Sequence, residues 1–82
     1  MTLWELIEAI EIGMECDPTP ITVYDLAEIL RDSGTPEVST ADVMKACKVL
    51  LQKGVLEKDV MFDKERNGTV DHYYHIEWDG KR

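Results

Sequence analysis

Lys53-Gly54 divides this chain into two stretches with different apolar periods, and that change limits the folds open to it. Before it, apolar residues recur at three and four positions: Leu3, Leu6, Ile7, Ile10 and Met14, then Leu26, Ala27, Ile29 and Leu30, then Val43, Ala46, Cys47 and Leu50. Side chains three and four apart share a helical face, so each run predicts one amphipathic helix with a core stripe. After it, Val55 to Phe62 and Thr69 to Trp78 are rich in β-branched and aromatic residues, which suit a pleated surface better than a helix. Three helices and a hairpin make an α+β domain.

The punctuation fixes the boundaries. Thr2-Leu3-Trp4-Glu5 fits a capping box that starts the first helix, and Gly13 with Asp17-Pro18-Thr19-Pro20 stops it. Ile21 is then placed for a short strand. Thr22-Val23-Tyr24-Asp25 opens the second helix in the same style, and Gly34 ends it. Ser39 or Thr40 caps the third helix, Asp42 sits in its first turn where the helix dipole favours an acid, and Lys53-Gly54 closes it. Glu65-Arg66-Asn67-Gly68 supplies the hairpin turn, and a two-residue Asn67-Gly68 loop would set His72 opposite Asp63.

Eighty-two residues predict a single domain over 1–82 with one small core. The first thirteen residues carry acids where a secretory signal has bases, and no run reaches the roughly 18 apolar residues that span a bilayer. This reads as a cytoplasmic protein with no membrane partner. Cys16 and Cys47 lack short metal-ligand spacing and read as buried, reduced thiols.

The net charge of −8 opposes nucleic-acid binding, but it is unevenly distributed. Residues 1–33 hold eight acids and one base, Arg31, whereas residues 34–82 hold nine acids and eight bases. On the third helix Ala41, Lys45, Lys48 and Gln52 share a narrow sector opposite the apolar one. A basic stripe therefore runs along one helix of an acidic chain.

The order of elements, and above all VMKACKVLLQKGVLEKD with its apolar helix, Lys-Gly and charged strand, resembles the winged helix-turn-helix of MarR- and PadR-type transcriptional regulators. The resemblance implies three helices, a short strand and a C-terminal two-stranded β-hairpin wing. It further implies a DNA-binding regulator whose third helix enters the major groove while the wing touches the flanking backbone or minor groove. Carried over residue by residue, the DNA-contacting set is Ser39, Thr40, Ala41, Lys45, Lys48 and Gln52 on the helix, with Lys64, Arg66 and Asn67 at the wing tip. The partner would be double-stranded DNA. Two departures stand out. The terminal helices that make the dimer in those families have no counterpart here, so a homodimer would need another surface. No arginine occurs in residues 39–53, leaving Gln52 for adenine, lysine for guanine and Ala41 for a thymine methyl.

Each feature also has a plainer reading. Lysine is the default filler of an exposed helical face, and charged hairpin tips are common. His72 and His75 suggest zinc, but residues three apart on a strand point to opposite faces, so no metal or other cofactor is expected. Tyr73, Tyr74 and Trp78 read as packing rather than base-stacking platforms. No serine, cysteine or lysine has an activating motif and no glycine loop fits a phosphate, so the chain does not read as an enzyme. The rival to DNA binding is an acidic winged-helix module for a protein partner: an adaptor, a complex subunit or an inhibitor. It would use the acidic first helix or an exposed strand edge.

Overall fold

The structure, a computed structural model, describes residues 2–80. Helix α1 spans Leu3–Cys16, α2 Val23–Asp32 and α3 Thr40–Gln52; strand β1 spans Leu56–Asp63 and β2 Gly68–His75. This is the α+β layout expected from the sequence, in a winged-helix-like order. Ile21 exchanges both backbone hydrogen bonds with Tyr73 at 2.9 Å, an antiparallel bridge that supplies the short strand beside β2.

Local chemistry accounts for the helix starts. Thr2 and Glu5 form the expected capping box, and Ser39 with Asp42 forms a second one, which settles Ser39 rather than Thr40 as the cap of α3. The Thr22 hydroxyl accepts the Asp25 amide at the start of α2. The ends are more varied. Gly34 (φ 110°) and Gly54 (φ 79°) take up the left-handed backbone after α2 and α3, but Gly13 does not stop α1, which runs three residues further to the Asp17-Pro18 break. A lone glycine inside a helix costs only about 1 kcal/mol against alanine, less than the packing of Met14 behind it returns.

The core joins one face of each helix to the base of the hairpin. Val43, Ala46, Cys47 and Leu50 of α3 are fully buried against Leu6, Ile7, Ile10 and Met14 of α1 and Leu26 and Ala27 of α2. Leu56 and Tyr73 close it from the strands. Two positions of the expected apolar stripes lie outside it: Leu3, 45% exposed as the first residue of α1, and Ile29, 52% exposed at the margin of the α2 stripe. Cys47 is buried, but Cys16 is exposed, contrary to the reading of both as interior thiols; both are free.

The hairpin turn is the main correction. Asp63 pairs with Gly68 and Asp59 with His72, so the loop is Lys64–Asn67 and the His72 partner lies four residues from Asp63. Among the described residues Asn67 is the one non-glycine with a positive φ, 50°, while Gly68 is an ordinary strand residue. The Asp63 carboxylate accounts for this choice. It accepts the Glu65 amide at 3.0 Å and holds the Arg66 guanidinium, and the Asn67 amide closes a turn on the Lys64 carbonyl. A shift of four is even, so every side chain keeps the face that the two-residue turn would have given it.

Candidate nucleic-acid interface

The helix that would meet a duplex is fixed at both ends. Val38, nearly fully buried, anchors the segment between α2 and α3, and Arg31 donates from Nε to the Val38 carbonyl at 2.8 Å and from Nη2 to the Thr40 hydroxyl at 3.5 Å. At the far end Lys53 lies 3.9 Å from Glu11 of α1. With its apolar side fully buried, α3 must turn the opposite side outward. Ala41, Lys45, Lys48 and Gln52 are all exposed there.

The other helix residues of the proposed contact set are partly committed. The Ser39 hydroxyl accepts the Asp42 amide at 3.1 Å, although its own hydrogen is still free to be donated. Thr40 is half-buried and its hydroxyl faces Arg31. Lys45 borders a cleft of about 150 Å³ where Glu37 and Asp42 are also present, so its surroundings carry both signs of charge.

The wing tip differs more from the sequence reading. Arg66 is bound by the Asp63 carboxylate, lies 3.8 Å from Glu65, and stacks its guanidinium 4.3 Å from the centre of the Tyr24 ring on α2. The hydrogen bond from Arg66 holds the Asp63 carboxyl below its ordinary range, and the same contact raises the Arg66 pKa. Arg66 thus ties the wing to α2 instead of standing free. Asn67 supplies the left-handed corner, and Lys64 is exposed. From Leu56 to His75 the hairpin holds Glu57, Asp59, Asp63, Glu65 and Asp71 against Lys58, Lys64 and Arg66, a net of −2. Lys58 is itself 3.6 Å from Asp71. Lys45, Lys48 and Lys64 are the bases left without an ion-pair or hydrogen-bond partner among the described residues.

Between α3 and the wing runs a groove of about 300 Å³ lined by Tyr24, Met44, Thr69, Val70, Asp71 and Tyr73. Neither Tyr24 nor Met44 stands out in the sequence as a site residue. At 100° per residue Met44 falls between the core stripe and Lys48, a margin position that periodicity leaves undecided. The contact between Tyr24 and Arg66 joins segments far apart in the chain and leaves no local signal.

His72 and His75 lie on opposite faces of the hairpin, with Nδ1 of His72 3.0 Å from the Val70 carbonyl and Nδ1 of buried His75 accepting the Glu77 amide at 3.1 Å. Among the described residues no group of three or more His, Cys, Asp or Glu side chains could hold a metal ion. Tyr73 and Tyr74 are buried, and Tyr74 packs on Trp78 with ring centres 5.2 Å apart, so these rings serve packing. Burial pushes the Cys47 thiol up to about 12, which makes it a core group and not a nucleophile.

No helix among the described residues is long and apolar enough to cross a membrane. No protein-family model matches the chain, and neither do any curated proteins or solved structures.

Proposed function

We propose that this chain is a small winged-helix DNA-binding protein, of the kind that regulates transcription, which places α3 in the major groove and uses the wing mainly to fix orientation. The observation that carries this reading is the outward face of α3. In a chain of net charge −8, the stretch from Ser39 to Lys53 holds three lysines against one acid, and Lys45 and Lys48 face solvent beside Gln52 and Ala41. Lysine and glutamine at such positions can reach guanine and adenine edges, and the Ala41 methyl suits a thymine methyl. Arg66 leaves the contact set, and Lys64 remains as the wing's phosphate contact, with Asn67 shaping the corner beside it.

The test is substitution on the exposed face. Lys45→Glu with Lys48→Glu should abolish binding to mixed-sequence duplex while leaving the melting temperature unchanged. Retained binding by that variant would remove α3 from the interface. Arg66→Ala should loosen the wing with little change in the salt dependence of binding.

A second reading, an interaction module for a protein partner, is favoured by one observation. Trp4 (65%) and Ile12 (62%) stand exposed on the acidic outer side of α1. Exposed large apolar residues among carboxylates suit a protein surface and repel phosphate.

A further inference from the structure

Gly13 is a helix residue that the fold itself does not require. It lies inside α1 without a positive φ, and a Cβ added there would meet nothing within 4 Å. Glycine is a poor helix former, so alanine at 13 would hold α1 better at no steric cost. What the missing side chain leaves is room. Gly13 forms part of the wall of a mainly apolar cleft of about 240 Å³, lined also by Met14 of α1, by Pro20 and Ile21, and by Leu26 and Ile29 of α2.

The surroundings of the cleft are apolar and acidic. Ile29 is 52% exposed, and Ile12, next to Gly13 in the chain, is 62% exposed. Residues three and four apart are neighbours on a helix surface, which sets Glu8 and Glu15 beside Ile12, and Asp25 and Asp32 beside Ile29. Asp17 is the one charged residue lining the cleft. Arg31, the one base in residues 1–33, is turned elsewhere: at 100° per residue it lies about 200° round α2 from Ile29, and its guanidinium donates to Val38 and Thr40.

We propose that this cleft docks a basic amphipathic helix of another protein, with one bulky apolar side chain seated over Gly13 and lysines or arginines meeting the carboxylates of α1 and α2. Acids on both helices around an apolar cleft match a helix whose apolar stripe is flanked by bases. Charge excludes the other occupants. A duplex or an anionic membrane surface is repelled here, and a second copy docking through the same face sets acids against acids. Elsewhere on the chain, Lys45 and Lys48 stand beside Ala41 and Gln52, which supply no large apolar anchor, and the strip from Lys58 to Phe62 would join copies head to tail in an open chain. The site lies off α3, so it goes beyond the DNA-binding reading and neither requires nor excludes it.

Fluorescence anisotropy of a labelled leucine–lysine amphipathic helix of about 18 residues, titrated with the full chain to ~500 µM at ~150 mM salt, tests this without DNA. Saturable binding is expected for this peptide. Two controls of the same length, leucine–glutamate with the apolar stripe alone and serine–lysine with the charge alone, should bind about ten-fold more weakly or not at all. Gly13→Gln, which fills the cleft, should weaken binding about ten-fold and melt no lower than the wild type, while Gly13→Ala should melt higher. Glu8→Gln, Glu15→Gln and Asp32→Asn together should weaken binding about five-fold. No binding of the leucine–lysine peptide, equal binding of either control, or undiminished binding by Gly13→Gln would overturn the proposal. A Gly13→Ala melt below that of the wild type would do the same, since the fold itself would then need the glycine. So would a mass that rises with concentration in the wild type and not in Gly13→Gln, which would put a second copy in the cleft.

Discussion

Substitution at Asn67 and Gly68 separates two ways of building the hairpin. Asn67 has φ 50° and Gly68 is an extended strand residue opposite Asp63. Valine at 67 must hold a β-branched side chain in the left-handed region, at a cost of about 1–2 kcal/mol. For a domain of this size each kcal/mol moves the melting temperature by roughly 4–8 °C, so Asn67→Val should lower it by about 4–16 °C. Asn67→Gly should be near neutral. At Gly68 an added Cβ would have as its only near neighbour the Arg66 carbonyl oxygen, at 3.9 Å, and its φ is not positive. Gly68→Val should therefore cost little and can gain from strand propensity. A two-residue Asn-Gly turn requires positive φ at both positions and so expects a large loss at Gly68 as well. Thermal melts followed by circular dichroism on these variants decide the matter. A Gly68→Val melt as low as that of Asn67→Val would refute the four-residue loop.

Three further outcomes follow from the core and the wing. Leu50→Ala should cost about 3–5 kcal/mol, much of the roughly 4–12 kcal/mol expected for a domain this size, and chemical denaturation would read it as a midpoint shift; a loss below about 1 kcal/mol would mean that α3 is not packed as described. Thiol titration with Ellman's reagent should find one fast cysteine, exposed Cys16, and a second that reacts only on unfolding, because Cys47 is buried with its pKa pushed up to about 12; two fast thiols would contradict that burial. The Asp63 carboxyl has its pKa depressed in the folded chain, so its contribution is complete above the unfolded value near ~3.9 and is lost as pH falls through the folded value. Asp63→Asn should therefore lose less melting temperature than the wild type between about pH 4 and pH 2, and equal losses would detach Asp63 from Arg66.

The helices were legible in the sequence because their signals are local. Spacing of three and four residues selected Val43, Ala46, Cys47 and Leu50, all fully buried, and the residues opposite them are all exposed. Thr2 was readable as a cap because Glu5 lies three residues on, whereas Ser39 and Thr40 were equal candidates for α3 until the Ser39–Asp42 capping box chose between them. The wing tip was less legible because several local preferences compete there. Asn-Gly favours a two-residue loop, but the carboxylate of Asp63 reaches both Glu65 and Arg66 and draws the longer loop around itself. Arg66 looked free because its stacking partner Tyr24 is far away in the chain. The acid at Asp59 is a surface charge in the sequence, and the strand geometry turns its Oδ1 onto the adjacent Val60 amide.

The measurement closest to the central claim is the salt dependence of duplex binding. If Lys45, Lys48 and Lys64 each meet a phosphate, log K against log salt should fall with a slope near −0.9 times three, about −2.7 per chain, and about −5.4 for a twofold pair on two half-sites. Arg66 would have steepened the slope by a further ~0.9 per chain had it been free. No binding to mixed-sequence duplex at about 50 mM salt, where this attraction is strong, would contradict the DNA-binding account and leave the protein-interaction reading in its place.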